Sequence, residues 1–140
     1  GAVVFCDGRI RWTHMAPRRE ALEHLRDRED NQSMGLELLA ISLGLSTFDP
    51  LLAGRNVVIH SDNTGAEISA RRGTARALDH AQLVHEQWFQ LTRMRTNVFI
   101  KRFHTDDNIA DLPSRCEFGI FREGPALEVP PSLCIECWVH

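Results

Sequence analysis

The sequence predicts an α/β fold in which an antiparallel hairpin precedes helices alternating with parallel strands. Three observations carry this. Asp7-Gly8 separates two short strand-like runs, Ala2 to Cys6 and Arg9 to Thr13, and Asp-Gly suits a two-residue turn whose central positions both need positive φ. Val57-Val58-Ile59 and Asn97 to Phe103 are further short apolar runs of strand length. The stretches between them repeat apolar residues at helical spacing instead. Strands alternating with helices imply right-handed crossovers and a parallel core, with the hairpin as an antiparallel edge of a mixed sheet flanked by helices.

Taken in order, the hairpin is followed by Pro17, which can open a helix, and by a charged, weakly amphipathic segment from Arg18 to Arg26. Arg26 to Gln32 is polar and reads as a surface loop. From Ser33 to about Leu45 the pattern is helical. Met34, Leu38, Ile41 and Leu45 form one stripe, and Leu36, Leu39 and Leu43 populate the far side. A helix apolar on both sides is largely buried. Asp49-Pro50 and Gly54 punctuate the way to the central strand, which ends in Ile59-His60-Ser61-Asp62-Asn63. A helix from Thr64 to Arg72 follows, and Gly73 breaks it. Thr74 is placed to cap the next helix, Ala75 to Arg93, whose apolar face reads as Ala77, Ala81, Val84, Trp88 and Leu91. His80 and His85 lie five apart, off a shared face, and read as surface residues. After the strand from Asn97, Asp107 or Asn108 can cap a short helix carrying Asp111, which Pro113 soon ends. We divide the chain into a domain over residues 1–115 and a tail or linker over 116–140, where Pro125, Pro130 and Pro131 interrupt any periodicity.

Composition narrows the class. A chain of 140 residues suits one domain with a sizeable core. Its 43% hydrophobic and 25% charged content is that of an ordinary soluble globular protein. No apolar run approaches the roughly 20 residues of a membrane span, so no membrane partner is expected. A net charge of −3 argues against a strongly basic nucleic-acid binder, though local patches stay open. Cys6, Cys116, Cys134 and Cys137 are too few and too unevenly placed for a disulfide framework, which suits a reducing compartment. The first residue is Gly1, and strand-like sequence follows at once, so we read the chain as part of a longer polypeptide.

Three acids stand out. Asp62 closes the central strand, and ligands of open α/β sheets bind just beyond the carboxyl ends of strands. Its alternative reading is a helix N-cap. Glu37 lies about 40° from Ile41 on the buried helix, where an acid is costly without a partner. It either reaches solvent or an arginine, or meets a metal or buried partner. Asp111 follows the last strand. Neighbouring parallel strands bring Asp62 and the Asp111 region to one sheet edge, and a helix packed on that face can deliver Glu37. Clustered carboxylates repel unless cations sit among them, and oxygen-only sites favour Mg²⁺ or Mn²⁺. Two such ions can activate a water and stabilise a leaving oxygen in phosphodiester cleavage. Asp7 reads as a turn residue.

Leu36-Glu37-Leu38-Leu39-Ala40, Ile59-His60-Ser61-Asp62-Asn63 and Asp107-Asn108-Ile109-Ala110-Asp111-Leu112-Pro113-Ser114-Arg115 occur in that order. Over roughly residues 2 to 115 they resemble the ribonuclease H domain of retrotransposon reverse transcriptases, particularly those of gypsy-like and DIRS-type elements of fungi. The last motif is the most specific. The resemblance implies a ribonuclease H-like fold and hydrolysis of the RNA strand of RNA–DNA hybrids with two Mg²⁺ (or Mn²⁺) ions. It also implies a reverse transcriptase domain upstream in the parent chain and an intracellular location, cytoplasm or nucleus. The family's metal-binding acids fall on Glu37, Asp62 and Asp111. Its fourth acid lies on the first strand of a three-strand meander, whereas only two strands precede the first helix here. Either that strand lies upstream of Gly1, or Phe5-Cys6-Asp7-Gly8 takes its place. The 30 residues from Asp7 to Glu37 leave little room for the second alternative, so we favour the first. The family's loop histidine has His104 as its one candidate, which reads equally well as a strand-end surface residue.

Arg71, Arg72 and Arg76 cluster at a helix junction, with Lys101 and Arg102 on the next strand. With Asn63 and Asn108 beside the acids, these arginines are the candidate contacts to the phosphates of a hybrid duplex, recognised by charge and shape rather than by base sequence. Each arginine also reads as part of a solvated helix end. Cys134-x-x-Cys137 with His140 hints at zinc but lacks a second pair at suitable spacing. A catalytically silent module of the same fold is the rival reading, and a DEDD-type exonuclease a third.

Overall fold

We describe a computed structural model of the chain, in which residues 1–25, 29 and 32–133 are described. The opening hairpin forms as expected. Strand β1 (Ala2–Cys6) pairs antiparallel with β2 (Arg9–Thr13), Phe5 opposite Ile10. Asp7 and Gly8 take φ of 52° and 71°, the positive pair a type I′ turn requires. A short helix α1 (Arg19–His24) leads to α2 (Ser33–Thr47). Leu38, Leu39, Ile41, Leu43 and Leu45 are all buried there, so α2 is the central helix its sequence foretells.

After α3 (Asp49–Leu52) comes β3 (Asn56–Ser61), then α4 (Thr64–Arg72), α5 (Leu78–Arg93) and β4 (Asn97–Arg102). Strand β3 pairs in parallel with β4, Val58 beside Phe99 and Ser61 beside Arg102. Helices α2, α4 and α5 pack together on the side of Val57, Ile59 and Ile100. Helix α4 is capped at both ends. Asn63 Oδ1 accepts from the Ala66 amide at 2.9 Å, and Gly73 supplies the left-handed C-terminal residue at φ 75°.

Three expectations change. Helix α5 starts at Leu78, and Thr74 does not cap it: the preceding residue is Ala77, with no side-chain cap bond. Its inward face is His80, Leu83, Val84, Gln87 and Leu91. His80 is therefore buried, not on the surface, while Trp88 sits at the rim and donates Nε1–H to the Ala70 carbonyl at 2.8 Å. The apolar spacing of this helix runs about one residue out of phase with its buried face, because Gln87 occupies a core position. Its amide donates to the Leu38 carbonyl at 2.7 Å and to Ser42 Oγ at 3.0 Å, which pays the desolvation of a polar side chain.

The second change concerns the sheet. A mixed sheet is present, but it consists of β1, β2 and a short β5 (Leu127–Glu128) parallel to β2. The β3–β4 pair is a separate two-stranded sheet. Among the described residues, the hairpin is thus not the edge of one continuous sheet.

The third concerns the tail. After α6 (Asp111–Ser114), helix α7 (Gly119–Glu123) and β5 fold back on the hairpin. Phe121 is buried against Trp12 at a ring separation of 5.3 Å, and Phe118 stacks on the same indole at 5.2 Å. The Val129 amide donates to the Trp12 carbonyl, and the Ser132 amide to Thr47 Oγ1 on α2. Residues 116–133 are therefore packed on the domain rather than forming a detached linker. The sequence hid this because two aromatics and one strand pair do the anchoring without any periodic pattern. Cys134, Cys137 and His140, the zinc hint, lie outside the described residues, as do residues 26–28, 30 and 31 of the polar loop. Among the described residues no helix is long and apolar enough to cross a membrane.

Candidate active site

The chemistry-bearing residues meet where β3 ends. Strand alternation places Val57, Ile59 and Ser61 toward the helices, and Ser61 is fully buried. Its hydroxyl donates to Glu37 Oε1 on α2 at 2.9 Å. Glu37, one turn before Ile41, is thus held at the strand's carboxyl end by the residue just before Asp62. The carboxylate therefore has a buried partner, and that partner is Ser61.

Asp62 does not cap α4, since Asn63 does. This leaves the Asp62 carboxylate free to turn toward the loop after β4, where Oδ2 accepts from Asn108 Nδ2 at 3.1 Å. Asn108 uses its other end locally, its Oδ1 accepting from the Ala110 amide at 3.1 Å. One side chain thereby fixes both Asp62 and the turn into α6. The expected caps of that helix are not used: Ala110 precedes it and Asp107 lies in a one-turn 3-10 segment, Thr105–Asp107. Asp111 opens α6 and pairs with Arg115 Nη2 at 2.9 Å.

Glu37, Asp62 and Asp111 line one open cleft of about 970 Å³. They sense one another. Burial pushes the Glu37 carboxyl above its ordinary value, the Ser61 hydrogen bond opposes this, and the charges of Asp62 and Asp111 add to the rise. The Gly1 nitrogen donates to Ser114 Oγ at 2.7 Å at the same end of the cleft. Ser61 was not found by sequence reasoning, though it was legible in principle from its inward parity with Ile59.

The donor set suits a hard divalent cation, because all the side chains are carboxylates. Among the described residues, however, no three acids, histidines or cysteines already stand close enough together to hold an ion. The carboxylates share a cleft without forming a closed ligand set. Asp7 is at the opposite end of that cleft, in an exposed ion pair with Arg55 at 3.1 Å. His104 is exposed, with Nδ1 3.4 Å from Asp106.

The basic residues are less convergent. Arg71, Arg72 and Arg76 are exposed around the end of α4, and Arg71 pairs with the buried Glu67 at 3.2 Å. Lys101 and Arg102 are exposed on β4. Asn63 and Asn108 are both engaged within the protein, as helix cap and as partner of Asp62. No family model, no curated protein and no solved structure matches the chain.

Proposed function

We propose that the chain is a ribonuclease H-type nuclease module of a retroelement reverse transcriptase, hydrolysing the RNA strand of RNA–DNA hybrids inside the cell. The observation that carries this reading is the convergence of Glu37, Asp62 and Asp111, from three separate parts of the chain, on the cleft beyond the end of β3. Mg²⁺ or Mn²⁺, two ions in all, would be held by these three carboxylates, and when bound would activate water and stabilise the leaving oxygen. Ser61 orients Glu37 and Asn108 orients Asp62. The exposed Arg71, Arg72 and Arg76 would contact duplex phosphates without reading bases.

A second reading is favoured by one specific observation, the absence of a closed ligand set among the described residues. It is a catalytically silent module that holds nucleic acid or spaces its neighbours. A labelled RNA–DNA hybrid with Mg²⁺ or Mn²⁺ decides between them. The nuclease reading expects cleavage that is abolished by chelation and reduced at least about a hundredfold by Asp62→Asn, as for loss of one electrostatic stabiliser of a transition state. No cleavage by the folded chain, at any concentration of either metal, would leave the silent module.

A further inference from the structure

Asp111 stands in the wall between two cavities. One is the cleft it shares with Glu37 and Asp62. The other, of about 400 Å³, lies beside it and is lined by Asp107, Asn108, Asp111 and Arg115 among others. Arg115 lines the second cavity and not the first. Residues 111 and 115 are four apart at α6, so their side chains meet on one face of the turn. Arg115 Nη2 reaches Asp111 Oδ2 at 2.9 Å. Glu37 and Asp62 are held by neutral partners, Ser61 and Asn108, whereas Asp111 is held by a charge.

Exposure decides what this pair can do. The side chains of Arg115 and Asp111 are 65% and 35% exposed. An exposed ion pair at this spacing is worth a factor of about two in an equilibrium. It is too weak to shut out a divalent cation and strong enough to compete with one. Arg115 also differs in place from the other candidate phosphate contacts. Arg71 and Arg72 close α4, roughly 13 Å along the axis from its cap Asn63, so they meet a duplex away from the acids. Arg115 meets it at the acids, and its planar fork fits a phosphate as well as a carboxylate.

We infer that Arg115 is an exchangeable partner: it neutralises Asp111 in the metal-free chain and passes to a backbone phosphate of the bound nucleic acid when Asp111 takes a cation. The inference rests on the nuclease reading of the site and adds a coupling to it. Metal and nucleic acid each compete for one member of the pair and release the other, so each tightens binding of the other through Arg115.

Two binding measurements on Arg115→Met test this, and neither reads cleavage. Arg115 is exposed, so its loss spares the core. Calorimetric titration with Mn²⁺ in the absence of nucleic acid should show about twofold or more tighter binding than wild type, because Asp111 has lost its competing partner. Anisotropy of a labelled RNA–DNA hybrid, its RNA strand 2′-O-methylated against cleavage, gives the coupling when titrated with and without Mn²⁺ at one ionic strength. The factor by which saturating Mn²⁺ tightens hybrid binding should be at least about threefold smaller in the variant. A merely structural role does not produce opposite changes, since a loosened α6 weakens both. Tighter Mn²⁺ binding with undiminished coupling would make Arg115 a counter-ion alone and overturn the transfer to phosphate. Unchanged or weaker Mn²⁺ binding would overturn the competition for Asp111. Both results leave the nuclease reading standing, whereas no Mn²⁺ binding by wild type would remove that reading and the inference with it.

Discussion

Ser61 Oγ donates to Glu37 Oε1 at 2.9 Å, tying the end of β3 to the middle of α2 across the base of the cleft. This bond and burial act on Glu37 in opposite senses, and burial wins: the carboxyl titrates above its ordinary value of 4.5. From 4.5 upward to that raised value, the native state holds more protons than the unfolded state. Stability therefore falls as pH rises through this window.

Glu37→Gln should remove that slope and make the metal-free protein more stable than wild type at neutral pH. Ser61→Ala should extend the window upward, because the bond that favours the charged form is gone. Denaturant midpoints measured for each variant against wild type, pH by pH, check both. An unchanged slope in Glu37→Gln would show that its burial has no thermodynamic consequence.

Asn108 should matter for metal more than for folding. Asn108→Ala removes the donor to Asp62 and the cap on Ala110 together. Loss of an orienting partner typically weakens metal binding about 10–100-fold, and calorimetric titration with Mn²⁺ would read it. Asn108→Asp keeps an acceptor for Ala110 but cannot donate to Asp62. If it binds Mn²⁺ as weakly as the alanine variant, orientation of Asp62 is the cause; wild-type affinity in both would remove Asn108 from the site.

Gln87 and Gln90 differ by one turn of α5 and should differ sharply in energy. Gln87 is 3% exposed and bonds twice to α2, whereas Gln90 is half-buried and makes one longer bond, 3.3 Å, to Ser46. Gln87→Met should cost about 1–3 kcal/mol, as for the loss of two buried hydrogen bonds to α2. Gln90→Met should stay within about 0.5 kcal/mol. Equal losses in urea unfolding would contradict the burial argument.

Phe121 tests whether the C-terminal segment belongs to the domain. Phe121→Ala should destabilise by about 3–5 kcal/mol, the usual loss for a buried aromatic, because it opens the packing around Trp12. A loss under about 1 kcal/mol, by the same unfolding measurement, would mean that the segment rests on the hairpin without stabilising it.

Local signals in the sequence determined much of this protein. The Asp7-Gly8 turn, the buried α2, the limits of α4 and the strand character of β3 and β4 follow from φ preferences, apolar spacing and capping chemistry, which act over a few residues. The order of Glu37, Asp62 and Asp111 along alternating elements also placed them at one strand end. Tertiary structure alone decided what each group meets. Asn63 takes the cap and releases Asp62 to Asn108; Ser61 meets Glu37; Gln87 displaces an apolar residue from the core by satisfying two acceptors on α2. It alone placed α7 on Trp12 and set β1 and β3, each in its own sheet, on either side of a cleft. These outcomes depend on partners 24 to 109 residues apart in the chain, from Ser61–Glu37 to Phe121–Trp12, and no periodicity within a single element encodes such a distance.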